Sequence, residues 1–547
     1  LAGTQQDRTA KSASLFRSAG IVSIAVFTSR ITGLVREMVM AALFGAGKAN
    51  DAFTVGFRIP NLTRDLFAEG ALSSAFVPVF TEYLTKRSRE EAAALANLVA
   101  TALIIIVGSV CLLGVIFAPQ LVSLLASGYR DVPGKFELAV TMTRIMFPFL
   151  LLVALAAQAM GVLNACNQFA VPAMASTFFN IGSLLVGLAL GYLVGPRIGI
   201  TPIHGMAWGV VCGGALQLFW QVPALRRAGF YFRPRLDWSD SGLIRVLKLM
   251  GPAIIGNAAV QVNVMVNTNF ASQIHDPLRG PDGPMSWLSY AFRFMQLPLG
   301  LFGVAIASAT LPSISRSIAA HDFDDFRRTL SRSVAMVFLL TIPSSIGLVV
   351  LGRSIVGAVY QRGQFDLYDT RQTAIALACY AIGLAGYSAT KVVNPAFYAL
   401  NDSRVPMIVS LVSIAVNYSM ASTMIYGFGL QHYGLALSTS AVAIVSALIL
   451  FLVMRARVGG IYGRNLGSST VRIIVASFAM GIAVWTSSSL IERFLGTTKI
   501  GFLTDLMLSI PLGLVVYYGV CRALRVPELE IAVEALAGPL RRRLGRR

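Results

Sequence analysis

Apolar stretches of about twenty residues, the length that spans a bilayer's hydrocarbon core as a helix, recur along this chain from residue 16 to residue 523. Placed by that length, helices are expected at 16–43, 51–84, 92–118, 136–162, 172–195, 204–225, 243–273, 285–315, 325–351, 370–400, 405–427, 433–455, 471–492 and 503–523. Charged residues are only 13% of the 547, and hydrophobic ones 56%. Soluble domains run near 25% and 45–50%. Too little polar surface remains to coat a soluble particle of this size. A cytosolic enzyme, a disordered chain and a fibrous repeat are excluded. The expected fold class is an all-α integral membrane protein of 14 transmembrane helices.

The net charge of +20 would point to nucleic acid in a soluble protein. Sorted by these segments, 28 Lys and Arg fall on the side of the termini, 10 in the opposite loops and 7 within helices. Cytoplasmic loops carry such an excess, so both termini are expected in the cytoplasm and no nucleic-acid partner is expected. The first 14 residues are polar, and the stretch after Phe16 lacks a small-residue cleavage site, so it reads as a retained first helix. The five Cys and four His are dispersed, with no CxxC and no HExxH; no metal site or disulfide is expected.

A shift of 234 residues brings two halves into register. Asn167, Val171 and Pro172 fall on Asn401, Val405 and Pro406; Ser74, Ala75 and Pro78 fall on Ser308, Ala309 and Pro312. With one residue of slip, Phe57-Arg58 meets Phe292-Arg293. Several matches at one offset argue against chance. The second segment, 51–84, is kept on this ground although hydropathy alone rejects it. A unit of six helices returns the chain to the same side, so the copies are parallel repeats about a pseudo-two-fold axis along the membrane normal, an arrangement typical of transporters. The expected organisation is a tail at 1–14, an N-lobe at 15–228, a basic linker at 229–242, a C-lobe at 243–457, two further helices at 458–524 and a basic tail at 525–547.

A charge at mid-bilayer costs at least about 2.5–3.5 kcal/mol and faces a wet cavity or a partner. Helix 1 carries Arg30 and Arg36; helix 2 carries Arg58, Arg64, Asp65 and Glu69; helix 8 carries Arg293. Arg30, Arg36, Arg64 and Arg293 read as the lining of a cationic cavity, because the guanidinium fork binds phosphate oxygens in pairs. The competing reading is that they snorkel or pair with Glu37, Asp65 and Glu69. Arg58 is expected to pair with Asp65, seven residues on. Arg144 suits snorkelling. Lys391, beside Asn394-Pro395, suits a gate or a coupling step. FGAGKAND at 44–51 looks like half a P-loop but lacks the Ser or Thr after the Lys; it reads as the turn between helices 1 and 2 with Asp51 as N-cap. Helix 7 is rich in amides, including Asn257, Gln261 and Asn263. A sodium site on helices 7, 11 and 12 would rest on amides and carbonyls, since none of these carries a carboxylate. The Arg-rich C-terminal run suits anchoring to anionic lipid.

Between residues 29 and 84 the runs FGAG, DAF, IPNL-x-R and FAEGA-x-S-x-AFVP occur in order. Here the sequence resembles the MviN/MurJ family of lipid II flippases, within the multidrug/oligosaccharidyl-lipid/polysaccharide flippase superfamily. More loosely, the resemblance extends over nearly the whole chain. It implies outward movement of undecaprenyl-diphosphate-linked disaccharide-pentapeptide across the bacterial inner membrane by alternating access. The family's cavity arginines map onto Arg30, Arg36, Arg64 and Arg293, and its helix 2 Asp and Asn onto Asp51 and Asn61. Helices 13 and 14 would form a groove for the prenyl tail. Some members flank the helix 8 arginine with acids where this chain has Phe292 and Gln296. No catalytic residue and no cofactor is expected; membrane potential is the expected driver, with the coupling ion, sodium or proton, left open. Membrane lipids and cell-wall polymerases or divisome proteins are the other expected partners.

Four rival readings differ in what they require. A lipid-linked O-antigen or capsule flippase differs in substrate. A multidrug exporter should present carboxylates to cations. A prenyl-phosphate transferase or phosphatase needs paired acids or metal at the water interface. A scaffold of the cell-wall machinery would leave the arginines dispensable.

Overall fold

The computed structural model describes residues 2–65, 72–460 and 463–534. They are almost wholly helical: α1 (Ala2–Phe44), α2 (Lys48–Arg64), α3 (Ser73–Lys86), α4 (Arg89–Ile116), α5 (Ala118–Leu125), α6 (Lys135–Met146), α7 (Phe149–Ala165), α8 (Ala170–Leu188), α9 (Gly195–Ile198), α10 (Pro202–Phe219), α11 (Val222–Arg227) and α12 (Ser241–Gln273). Then come α13 (Pro284–Pro298), α14 (Ala305–Ala319), α15 (Phe323–Tyr360), α16 (Leu367–Ile382), α17 (Leu384–Ala399), α18 (Arg404–Ser422), α19 (His432–Arg457), α20 (Gly463–Leu495) and α21 (Lys499–Ala523). Among the described residues, nine helices or helix runs are long and apolar enough to cross a membrane, and the α16–α17 pair, bent by 42°, makes ten. The other expected segments fall on α1, α2 with α3, α10 with α11, and α12. Arginines dilute hydropathy in α1 and α2. Glu69 and the arginines of residues 541–547 lie outside the described residues.

Contacts divide the chain into two compact units, Leu1–Gln273 and Ile274–Arg547. The division falls one helix later than the expected linker, because α12 is tied to the first unit. Arg245 pairs with Glu82 at 2.8 Å. The Thr268 hydroxyl accepts from Arg58 at 2.9 Å, and Asn269 donates to the Leu124 carbonyl at 2.9 Å. The linker itself lies extended along α4, where Asn97 and Thr101 accept from the backbone of Arg233 and Arg235.

In the first unit α8 and α10 meet along glycines; a Cβ at Gly209 would strike the Ser183 carbonyl oxygen. Small residues let two backbones approach where no hydrophobic force drives helices together. After α7 the chain turns through Asn167 at φ 59°, with Gln168 N–H donating to Leu163 O. The second unit repeats this after α17: Asn401 sits at φ 57° and Asp402 N–H donates to Phe397 O. Asparagine tolerates this left-handed cap geometry. The next helices, α8 and α18, are both 19 residues long. Each runs into a π-helical turn, at 189–194 and 423–427. All of these correspondences lie at the 234-residue offset.

In the second unit α20 and α21 are fastened to α15 through one carboxylate. Asp505 is 3% exposed and accepts from Ser354 at 2.5 Å, Ser488 at 2.7 Å and Ser509 at 2.7 Å. A buried carboxylate needs such donors, and three helices supply them. Asp505→Ala is expected to cost on the order of 3 kcal/mol, read as a lowered Tm; an unchanged Tm would show that the serines hold these helices without it.

Candidate functional site

The charged helices place their arginines in different surroundings. On α1, Arg30 is exposed and makes no hydrogen bond or ion pair among the described residues. Six residues on, about 120° around the helix, Arg36 is largely covered. Its guanidinium lies 5.2 Å from the Phe179 ring centroid of α8 and 4.0 Å from Glu37. Asn180 of α8 donates to the Ser29 carbonyl at 3.1 Å, fixing this stretch of α1 against its neighbour. Both readings of Arg36 therefore keep an anchor in the structure, whereas Arg30 remains available to a ligand.

On α2, Arg64 pairs with Asp65 at 3.0 Å, with both side chains part-exposed. The expected Arg58–Asp65 pair does not form. Seven residues span about 10 Å of helix, and the adjacent Arg64 takes the carboxylate while Arg58 donates to Thr268. Asn61 is part-buried, with its side-chain oxygen lacking a hydrogen-bond partner.

Asp51 is not the N-cap. The turn closes at Gly45, φ 57°, so α2 starts at Lys48 with Gly47 as its cap, and Asp51 falls inside the first turn. There it pairs with Lys135 at 2.9 Å, the two side chains 1% and 0% exposed. The Lys135 ammonium also lies 4.5 Å from the Tyr129 ring centroid. Lys135, which the expected segments 92–118 and 136–162 leave among the ten cations of the opposite loops, is instead the buried first residue of α6. The signal for it was the acid: a carboxylate inside an apolar helix needs a cation, and the nearby Lys48 donates instead to the Pro133 carbonyl at 2.6 Å.

In the second unit Arg293 is exposed on α13, six residues ahead of the π-helical turn 299–304. Phe292 packs edge-on against Tyr380 at 5.3 Å. Lys391 on α17 is exposed and has no protein partner among the described residues. The neighbouring Asn394 keeps a buried side-chain oxygen without a donor. Arg144, exposed on α6, donates to the Val115 carbonyl at 3.3 Å. The chemistry these groups offer is charge and hydrogen bonding for an anion.

The sequence profile of the family described as "Lipid II flippase MurJ" matches residues 40–503. The chain belongs to the MurJ family. It is 35% identical over 452 residues to the lipid II flippase MurJ of Burkholderia cenocepacia, covering 82% of this chain and 85% of that one. It is 32% identical over 534 residues to the probable lipid II flippase MurJ of Bdellovibrio bacteriovorus, covering 96% and 97%. A solved lipid II flippase MurJ in an inward closed conformation superposes with a TM-score of 0.73 at 26% identity, over 92% of this chain and 99% of that one. A multidrug resistance MATE transporter in an inward-facing conformation reaches 0.63 at 13% identity, over 81% and 98%. That likeness concerns the fold alone. The MurJ-family match runs through α2, α13 and the arginines Arg64 and Arg293.

Proposed function

We propose that this protein is a lipid II flippase, a transporter and not an enzyme. It moves the undecaprenyl-diphosphate-linked disaccharide-pentapeptide from the inner to the outer leaflet of the bacterial cytoplasmic membrane. The observation that carries the reading is the MurJ-family match over residues 40–503, on a chain whose helices hold arginines where hydrocarbon would exclude them. A diphosphate cannot cross hydrocarbon alone. In this reading Arg30, Arg36, Arg64 and Arg293 replace its hydration with fixed donors while the prenyl tail stays in lipid, along α20 and α21. Asp65 and Glu69 tune Arg64, Asn61 offers an unmet acceptor beside it, and the Asp51–Lys135 pair supports α2 from behind. Lys391 serves a gate.

In this reading the chain crosses the membrane fourteen times, the ten apolar spans being joined by α1, α2 with α3, α10 with α11, and α12. Two parallel six-helix repeats followed by α20 and α21 account for the shared cap geometry at Asn167 and Asn401 and for the equal lengths of α8 and α18. Both termini lie in the cytoplasm, on the side richer in Lys and Arg. A potential positive outside favours outward movement of the anion by about 2.3 kcal/mol per charge per 100 mV. Sodium or proton coupling, and docking to cell-wall polymerases or divisome proteins, would add to this. Turnover requires weaker binding in the outward state.

Reconstitution tests this. Vesicles carrying the full chain and fluorescent lipid II are expected to expose the label to a membrane-impermeant quencher faster when the destination side is made positive. Exposure no faster than in protein-free vesicles would overturn the assignment.

A further inference from the structure

Near the ends of α15 and α16 that meet at residues 361–366, two arginines share the wall of a cavity of about 480 Å³. Val350 and Arg353 contribute one face of α15. Arg371, Ala374, Ile375 and Ala378 contribute α16 at spacings of three, four and seven residues, a single helical face. The walls between the charges are aliphatic.

The two guanidiniums have spare donors. Arg353 gives Nη1 to Glu492 of α20 at 2.5 Å, which leaves its other edge, where the buried Nε has no acceptor. Arg371 is exposed and makes no hydrogen bond or ion pair among the described residues. Arg353 lies seven residues, about 10 Å, before the end of α15, and Arg371 is about 6 Å into α16. That close to the ends of their apolar spans, both are assigned to the depth of lipid headgroups rather than mid-bilayer.

We propose that this cavity binds an anionic phospholipid, its phosphate between Arg353 and Arg371 and the upper part of an acyl chain against Val350, Ala374 and Ile375. A phosphate oxygen accepts from the spare Nη2 of Arg353, and a second oxygen meets Arg371, contacts of the charge-assisted kind at which arginine excels. The aliphatic walls favour a lipid over a soluble anion, because a free phosphate would gain nothing from them. Basic pockets between transmembrane helices hold lipid headgroups by this chemistry. The site stands independently of the transported substrate. On the orientation proposed above it faces the outer leaflet.

The test is a lipid titration of the purified full chain in detergent, read by native mass spectrometry. Phosphatidylglycerol and phosphatidylcholine are compared on wild type, Arg371→Gln, Arg371→Lys and the cavity-filling Ala374→Trp. Wild type is expected to prefer phosphatidylglycerol by about tenfold or more. Arg371→Gln and Ala374→Trp should both lose the preference, and Arg371→Lys should keep part of it. If Ala374→Trp lowers the Tm, Ala378→Leu replaces it as the filling variant. Preference retained in both Arg371→Gln and the filling variant would overturn the site, leaving arginines that merely reach for water. Loss in Arg371→Gln alone would also overturn it, since charge without a cavity attracts any anionic surface. Displacement of the lipid by millimolar inorganic phosphate would contradict the lipid assignment in favour of a soluble anion.

Discussion

Lys135→Ala is expected to destabilise the protein by about 3–5 kcal/mol, measured as Tm in detergent without ligand. The ammonium and the Asp51 carboxylate are 2.9 Å apart, with side-chain exposures of 0% and 1%, so deleting either takes the ion-pair partner from a buried charge. Deleting both removes the liability. The double variant Lys135→Met with Asp51→Leu is expected to recover most of the loss, because an apolar pair avoids the desolvation cost of two ions. A single variant that loses under 1 kcal/mol, or a double variant no better than the single, would show that the pair is not an energetic unit. The double variant also separates two roles for Asp51. If the pair only holds the start of α2 against α6, the folded double variant transports at the wild-type rate.

Arg30→Ala is expected to do the reverse, leaving the Tm unchanged while slowing transport. An exposed side chain without a protein partner contributes little to folding, within about 0.5 kcal/mol. A charge-assisted contact to a diphosphate oxygen contributes about 1.5–3 kcal/mol, so the initial rate of lipid II exposure in reconstituted vesicles should fall by roughly 10- to 150-fold. Arg30→Lys, which keeps the charge but loses the fork, should fall between the two. Arg36→Ala should lower both stability and transport, since Arg36 also packs on Phe179. Equal transport by wild type and Arg30→Ala would remove Arg30 from the binding set.

The helices were legible because length and apolar character are local properties. Each expected segment falls on described helix, residues 66–71 of the second lying outside the described residues, and the 234-residue offset seen at Asn167 and Asn401 reappears as the same left-handed cap. Breaks inside segments were less visible. The bend between Ile382 and Leu384 and the short α5 leave no mark in a twenty-residue window. The candidate arginines stood out because charge inside an apolar helix is rare, but their partners are set by tertiary packing. Arg58 turned to Thr268, more than two hundred residues away, rather than to Asp65 on its own helix. Lys135 is hidden for the same reason: the residue just before 136 reads as loop and solvent, and only its packing against Asp51 and Tyr129 shows otherwise. The first unit likewise reaches past the basic linker to Gln273, because the contacts of Arg245, Thr268 and Asn269 are invisible to hydropathy.

The most direct test of the flippase reading is leaflet-resolved accessibility of lipid II in cells depleted of this protein and supplied with wild type or Arg293→Ala. Both forms must be inserted at equal level, verified in the membrane fraction. Wild type is expected to restore outer-leaflet lipid II, and Arg293→Ala is expected not to. Equal restoration by both would contradict the role given to Arg293, and failure of wild type itself would contradict lipid II as the substrate.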